Sequence, residues 1–203
     1  MNNMLTSLTL LTARLTACGG SGIDEPGAPV TPPAPTISYS LHNPAATAEA
    51  KSVFQLLADN YGKKMLTGAM GGVVWETNYT DFVAEQCGAY PAIVGFDFMH
   101  LSHSPSDWID YGDITPVKSA WENGSIPTIC WHWRVPTEEP DTPDTRGPVE
   151  EDEDEELTFN ANETDFNCDK ATMPSTWENG VVNADLEKVA GYLKLLQDAG
   201  IPV

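Results

Sequence analysis

Ala92-Ile93-Val94-Gly95-Phe96-Asp97-Phe98-Met99 is an almost unbroken apolar run, and its reading decides the fold. Because apolar side chains occupy both alternating sets of positions, such a strand is covered on both faces, as in a parallel sheet flanked by helices. Only Asp97 interrupts it. A second run of the same kind, Ile126-Pro127-Thr128-Ile129-Cys130-Trp131-His132-Trp133, carries its proline close to a strand start, where a missing N–H is tolerated. Upstream, Lys64-Met65-Leu66-Thr67-Gly68 predicts a shorter strand, followed by a loop with Gly71 and Gly72.

Helical patterns separate these runs. Val53, Leu56, Leu57 and Tyr61 form a stripe on a helix starting near Thr47 and stopping at Gly62. Trp75 to Gln86 predicts a helix with Phe82 and Val83 inward and Gly88 as its break; Thr115 to Trp121 predicts another, ended by Asn123-Gly124. Val182, Leu186, Val189, Leu193 and Leu196 predict the longest, with Asp185 and Glu187 in its first turn, Lys194 in its last and Gly200 as its stop. Ile201-Pro202-Val203 reads as the opening of a further strand. Strands alternating with helices imply βαβ units, a parallel sheet and right-handed crossovers.

Thirty Asp and Glu against ten Lys and Arg give a net charge of −20, whose field repels phosphate backbones and excludes nucleic acid as the natural partner. No apolar stretch approaches the ~20 residues needed to span a bilayer. Cys18, Cys87, Cys130 and Cys168 stand too far apart for a CxxC redox pair or a zinc knuckle.

Residues 1–18 resemble a bacterial lipoprotein signal: a modest apolar stretch leads to Leu15-Thr16-Ala17-Cys18-Gly19-Gly20. Arg14 interrupts the apolar stretch and no Lys or Arg precedes it, so a plain N-terminal tail is the alternative reading. The signal implies export, lipidation at Cys18 and attachment to a membrane at the periplasm or cell surface. With Cys18 lipidated, three thiols remain, and at least one is free or pairs with another molecule. Residues 19–36 form a linker rich in Pro, Gly and Ser, and the folded domain is expected over residues 37–203. That domain is shorter than the ~250 residues of a full (β/α)8 barrel.

In parallel α/β folds, ligands collect at the carboxyl ends of strands. Asp97 and His132 fall at such ends, flanked by Phe96 and Phe98 and by Trp131 and Trp133. A buried carboxylate satisfied by backbone N–H groups and a core histidine satisfied by a carbonyl form the structural alternative. Indole faces with a polar N–H suit sugar rings, which makes Trp108, Trp131 and Trp133 candidate carbohydrate contacts as well as packing residues. Asp97, His100 and His103 at three-residue spacing make a short, tolerant pattern for a metal, for which no second shell is evident; no metal site and no cofactor is assigned. Glu150 to Glu156 are seven consecutive acids, read with the preceding Pro-rich stretch as a solvated loop insertion over about residues 136–157.

Four ordered blocks then stand out: Tyr61-Gly62-Lys63-Lys64, Tyr90 to Phe98, Cys130-Trp131-His132-Trp133, and Leu193 to Val203. Together, over Asn43 to Val203, they resemble the bacterial β-mannanases of glycoside hydrolase family 26. The resemblance implies a (β/α)8 TIM barrel, present as its first three to four β/α units and therefore truncated. It also implies hydrolysis of internal β-1,4-mannosidic bonds with retention, by two glutamates acting as acid/base and nucleophile ~5–5.5 Å apart. In the family these follow the Gly-Ile-Pro-Val block and the seventh strand, so both are expected beyond Val203 and the chain alone is expected to be inactive. His132 matches the histidine after the third strand that lines the cleft; Trp131, Trp133, Phe96 and Asp97 match the neighbouring wall. Arg134, where related sequences often have Asn, and the acidic run depart from the pattern. Mannan is the implied substrate, xylan or mixed-linkage glucan the alternative within the family, and a non-catalytic carbohydrate-binding protein the alternative outside it.

Overall fold

In a computed structural model, residues 40–141 and 156–203 are described, all within the unit Ile37–Val203. The signal, Cys18, the linker and most of the acidic run lie outside the described residues. Three strands, β1 (Gly68–Met70), β2 (Ile93–Asp97) and β3 (Ile126–Cys130), pair in parallel in the order β1-β2-β3. Helix α1 (Ala48–Asn60) precedes β1, α2 (Asn78–Cys87) joins β1 to β2, α3 (Thr115–Glu122) joins β2 to β3, and α4 (Trp177–Asp198) follows. Each crossover moves one strand further in the same direction, as along the wall of a (β/α) barrel and unlike the strand-order reversal of a doubly wound sheet.

The alternation of side chains along β2 separates two environments. Val94 and Phe96 are buried on one face, against Val117 and Ala120 of α3, Leu196 of α4 and Ile201. Ile93, Gly95 and Asp97 lie on the other face, beside their register partners Ile126, Thr128 and Cys130. There a Cβ on Gly95 would sit 2.8 Å from the Met70 sulfur, so glycine lets β1 and β2 share that face.

The N–H of Ile126 donates to the Ala92 carbonyl, so the donors of residues 126, 128 and 130 point toward β2. Pro127 occupies the alternate position, where its missing N–H is directed at the outer edge of β3 and removes no bond of the β2–β3 ladder. Beyond the end of β2, Phe98, Leu101, Ile109 and Tyr111 make a second core, packed against Trp75, Trp131 and Tyr192.

Several expectations are corrected. The first strand starts at Gly68, because Lys63 and Lys64 close the turn after α1 by donating to the Asn60 carbonyl, and pairing begins only where Thr67 accepts from Ile93. Helix α1 does begin after Thr47, whose hydroxyl accepts from the Ala50 N–H, yet Leu56, Leu57 and Tyr61 are exposed and only Ala58 is fully buried. Helix α2 starts at Asn78, since Trp75 leaves the helix to donate its indole N–H to the Asp113 carbonyl at 2.7 Å. Phe82 points outward, 61% exposed, and Thr80 takes the buried position.

Helix α4 starts at Trp177, capped by Thr176, so its first-turn acid is Glu178, which is buried with Lys170 Nζ 3.6 Å away. Asp185 is a buried mid-helix residue. Ile201 is held by its N–H to the Leu196 carbonyl and packs in the core, and residues 201–203 form no strand. The stretch read as a solvated insertion has structured ends: β4 (Val135–Pro136) pairs antiparallel with β5 (Leu157–Thr158), with Pro136, Leu157 and Thr158 buried. Glu156, the one acid of the run that is described, is exposed.

Candidate functional site

Asp97 ends β2 and Cys130 ends β3, and the parallel register sets them side by side. The chain leaves β3 through Trp131, His132 and Trp133. This brings the His132 backbone N–H to Asp97 Oδ1 at 3.1 Å and the ring nitrogen Nδ1 into a short contact with Asp97 Oδ2. With the carboxylate accepting at Nδ1, the tautomer is fixed and Nε2 becomes the ring's outward polar atom. The Asp97 side chain is 13% exposed while that of His132 is 60% exposed, so a sheltered carboxylate aims a solvent-facing imidazole.

Cys130 completes a group of three whose donor atoms lie within 4.8 Å of one another. These are the side chains that could hold a cation; the carboxylate, however, already accepts two hydrogen bonds from His132. Burial raises the Cys130 thiol above its ordinary value, and the neighbouring Asp97 raises it further. The His100 and His103 of the spacing-based metal pattern do not join Asp97: among the described residues they pack against Trp108, edge-on at 4.9 Å and tilted at 5.5 Å between ring centroids, and His103 is buried.

The other predicted wall residues separate. Phe96 is 2% exposed on the opposite face of β2, 5.2 Å from Trp75, and presents nothing to the cleft; its residue number is odd-out by one from Asp97, and alternation alone turns it into the core. Trp131 is half-buried against the second core. Trp133 lies 5.6 Å from Trp131 and donates its indole N–H to Asp185 Oδ2 at 2.7 Å, and Phe166 fills the space between Trp133 and Trp177. Trp133 therefore fixes the loop after β3 to α4.

Sequence reading missed Phe159. It stands immediately after β5, 58% exposed, with its ring 6.3 Å from that of His132 and the Arg134 guanidinium 5.4 Å from its centroid. The short apolar stretch Leu157-Thr158-Phe159 after the acids was the available signal. Below the site, burial raises the Tyr111 hydroxyl group's affinity for its proton; that hydroxyl accepts from the His100 N–H at 3.0 Å.

The arrangement offers an oriented imidazole, a carboxylate and aromatic surfaces at the carboxyl end of a parallel sheet, a set suited to binding a polyhydroxylated ligand. Known proteins to which the whole chain is similar are glycosidases. A mannan endo-1,4-beta-mannosidase of Thermothelomyces thermophilus is 33% identical over 185 residues, 86% of this chain and 35% of the relative. Among solved structures, the GH26 domain of an endo-beta-mannanase/endo-beta-glucanase from Prevotella bryantii matches with a TM-score of 0.70 and 33% identity, over 81% of this chain and 48% of that one. The beta-mannanase of a symbiotic protist of the termite Reticulitermes speratus, solved with gluco-manno-oligosaccharide, matches at 0.62 and 32%, over 82% and 50%. The chain thus spans half or less of the length of these relatives. The family model described as glycosyl hydrolase family 26 matches residues 42–203, and the chain belongs to that family.

Proposed function

We propose that this chain forms the substrate-holding wall of an endo-β-1,4-mannanase, a retaining glycoside hydrolase. The observation that carries the reading is the Asp97–His132 pair: a shielded carboxylate locks the ring, and an outward imidazole nitrogen meets a sugar hydroxyl with little orientational entropy left to lose. Trp131 packs against the second core and Trp133 is tied to α4, and together they hold the loop in place. The retaining reaction needs two carboxyl groups ~5–5.5 Å apart. No glutamate of residues 1–203 is assigned either role, so residues 1–203 alone are expected to bind mannan without cleaving it.

The mannosidase relatives and the termite-protist complex favour mannan or glucomannan over xylan. Affinity electrophoresis of the chain in gels containing mannan, glucomannan, xylan or mixed-linkage glucan tests this: retardation by the two mannans is expected, and retardation by xylan alone rejects it. Release of reducing sugar from mannan by residues 1–203 would show that a catalytic carboxyl pair lies within them. The sequence before Cys18 supports export and lipid attachment, which loss of labelled-palmitate incorporation in Cys18→Ser checks.

A further inference from the structure

Phe159 is an exposed aromatic ring on a part of the chain built to hold it still. Its strand neighbours Leu157 and Thr158 are buried, and the Thr158 hydroxyl bonds Glu163 Oε2 at 3.0 Å while accepting from the Asn160 N–H at 3.0 Å. Across the β4–β5 pair, Val135 faces Thr158, so Arg134 comes opposite Phe159. The Arg134 side chain donates to the Leu157 carbonyl at 2.9 Å and lays its guanidinium over one face of the ring. A cation–π contact of this kind favours ring orientations that keep one face toward the guanidinium. Packing thus covers one face of Phe159 and leaves the ring 58% open to solvent beside His132.

We propose that Phe159, backed by Arg134, is a sugar-stacking platform that extends the His132 site by one further subsite for a β-1,4-linked hexopyranose. The inference rests on the mannan reading given above. A pyranose presents an apolar C–H face that a flat aromatic ring accepts, and a ring immobilised beforehand loses little freedom on binding. The 6.3 Å between the His132 and Phe159 rings lets neighbouring sugars of one chain meet the two side chains in turn. Stacking reads the ring face and leaves the 2-hydroxyl unread, so this subsite accepts glucose as well as mannose. His132, which hydrogen-bonds, is the more discriminating of the two. Arg134 supplies the back of the platform.

The test is titration of the chain with mannohexaose and with glucomannan, followed by calorimetry, for the parent and for Phe159→Ala, Phe159→Leu and Phe159→Trp. Stacking predicts about a five- to tenfold weaker affinity for the Ala and Leu variants on both ligands and recovery in the Trp variant. The Leu variant keeps apolar bulk and removes only the flat face, and unchanged near-ultraviolet circular dichroism separates loss of stacking from loss of fold. Binding by the parent with unchanged affinity in Phe159→Ala and Phe159→Leu, alongside weakened binding in His132→Ala, overturns the platform and leaves the mannan reading standing. Failure of the parent itself to bind either ligand overturns both.

Discussion

The two faces of one strand, β2, have opposite fates. Val94 and Phe96 disappear under α3 and α4, with no polar atom to satisfy; Gly95 and Asp97, on alternate positions of the same five residues, face a side lined by Thr128 and Cys130. The covered face supplies stability and fixes where the strand ends. The other face is left to polar groups whose positions the covered face determines. The comparison teaches that the Asp97–His132 geometry is set from behind, by packing that never touches a ligand.

Breaking the covered face has the largest expected effect. Phe96→Ala removes a ring buried against Trp75 and is expected to cost about 3–5 kcal/mol, read as a lower urea midpoint with ligand affinity falling only as folding is lost. Breaking the open face shifts the loss to binding: His132→Ala is expected to lower mannohexaose affinity about tenfold while costing about 1–2 kcal/mol of stability, because the sheltered Asp97 carboxylate is left without its ring partner.

Asp97→Asn sharpens the distinction, because it keeps the shape and removes the charge that orients the ring. Affinity is expected to fall about three- to fivefold, less than for loss of the imidazole itself, by the same calorimetry. A smaller effect is expected at the start of α3, where Asp113 accepts from the Thr115 hydroxyl and, at 3.0 Å, from the Thr115 N–H, and these bonds hold its carboxyl below the usual range. A lowered folded-state pKa means stability present above the unfolded value of about 3.9 and lost as pH falls through the folded one. Asp113→Asn keeps the capping oxygen and removes only a solvent-screened charge, so it is expected to cost no more than about 0.5 kcal/mol at pH 7 and to flatten the acid limb of the stability curve below about pH 4. The smallest effect is kinetic: with its thiol pushed up by burial and Asp97, Cys130 is expected to alkylate at pH 8 more slowly than glutathione, and faster in Asp97→Asn, as followed by mass spectrometry.

How much of this was legible in the sequence follows from the same two faces. The run from Ala92 to Met99 carried its own signal, since double coverage writes apolar residues at every position, and Asp97 and His132 stood out against it. The sidedness of Phe96 was also readable in principle, because neighbours along a strand face opposite ways. Tertiary decisions were not readable. Trp75 leaves a helical pattern for one carbonyl 38 residues away, and Asp185 is drawn inside by the indole of Trp133. β4 and β5, two residues each, are too short for periodicity, and only their pairing across the acidic stretch brings Phe159 beside His132.

Pro127 gives the outer border of the sheet a chemical asymmetry. A segment laid along that border finds one amide hydrogen missing, and the carbonyl facing it must turn to water or to a side chain. Indiscriminate lamination of strands there is penalised, whereas a neighbour shaped to leave that oxygen solvated joins without loss.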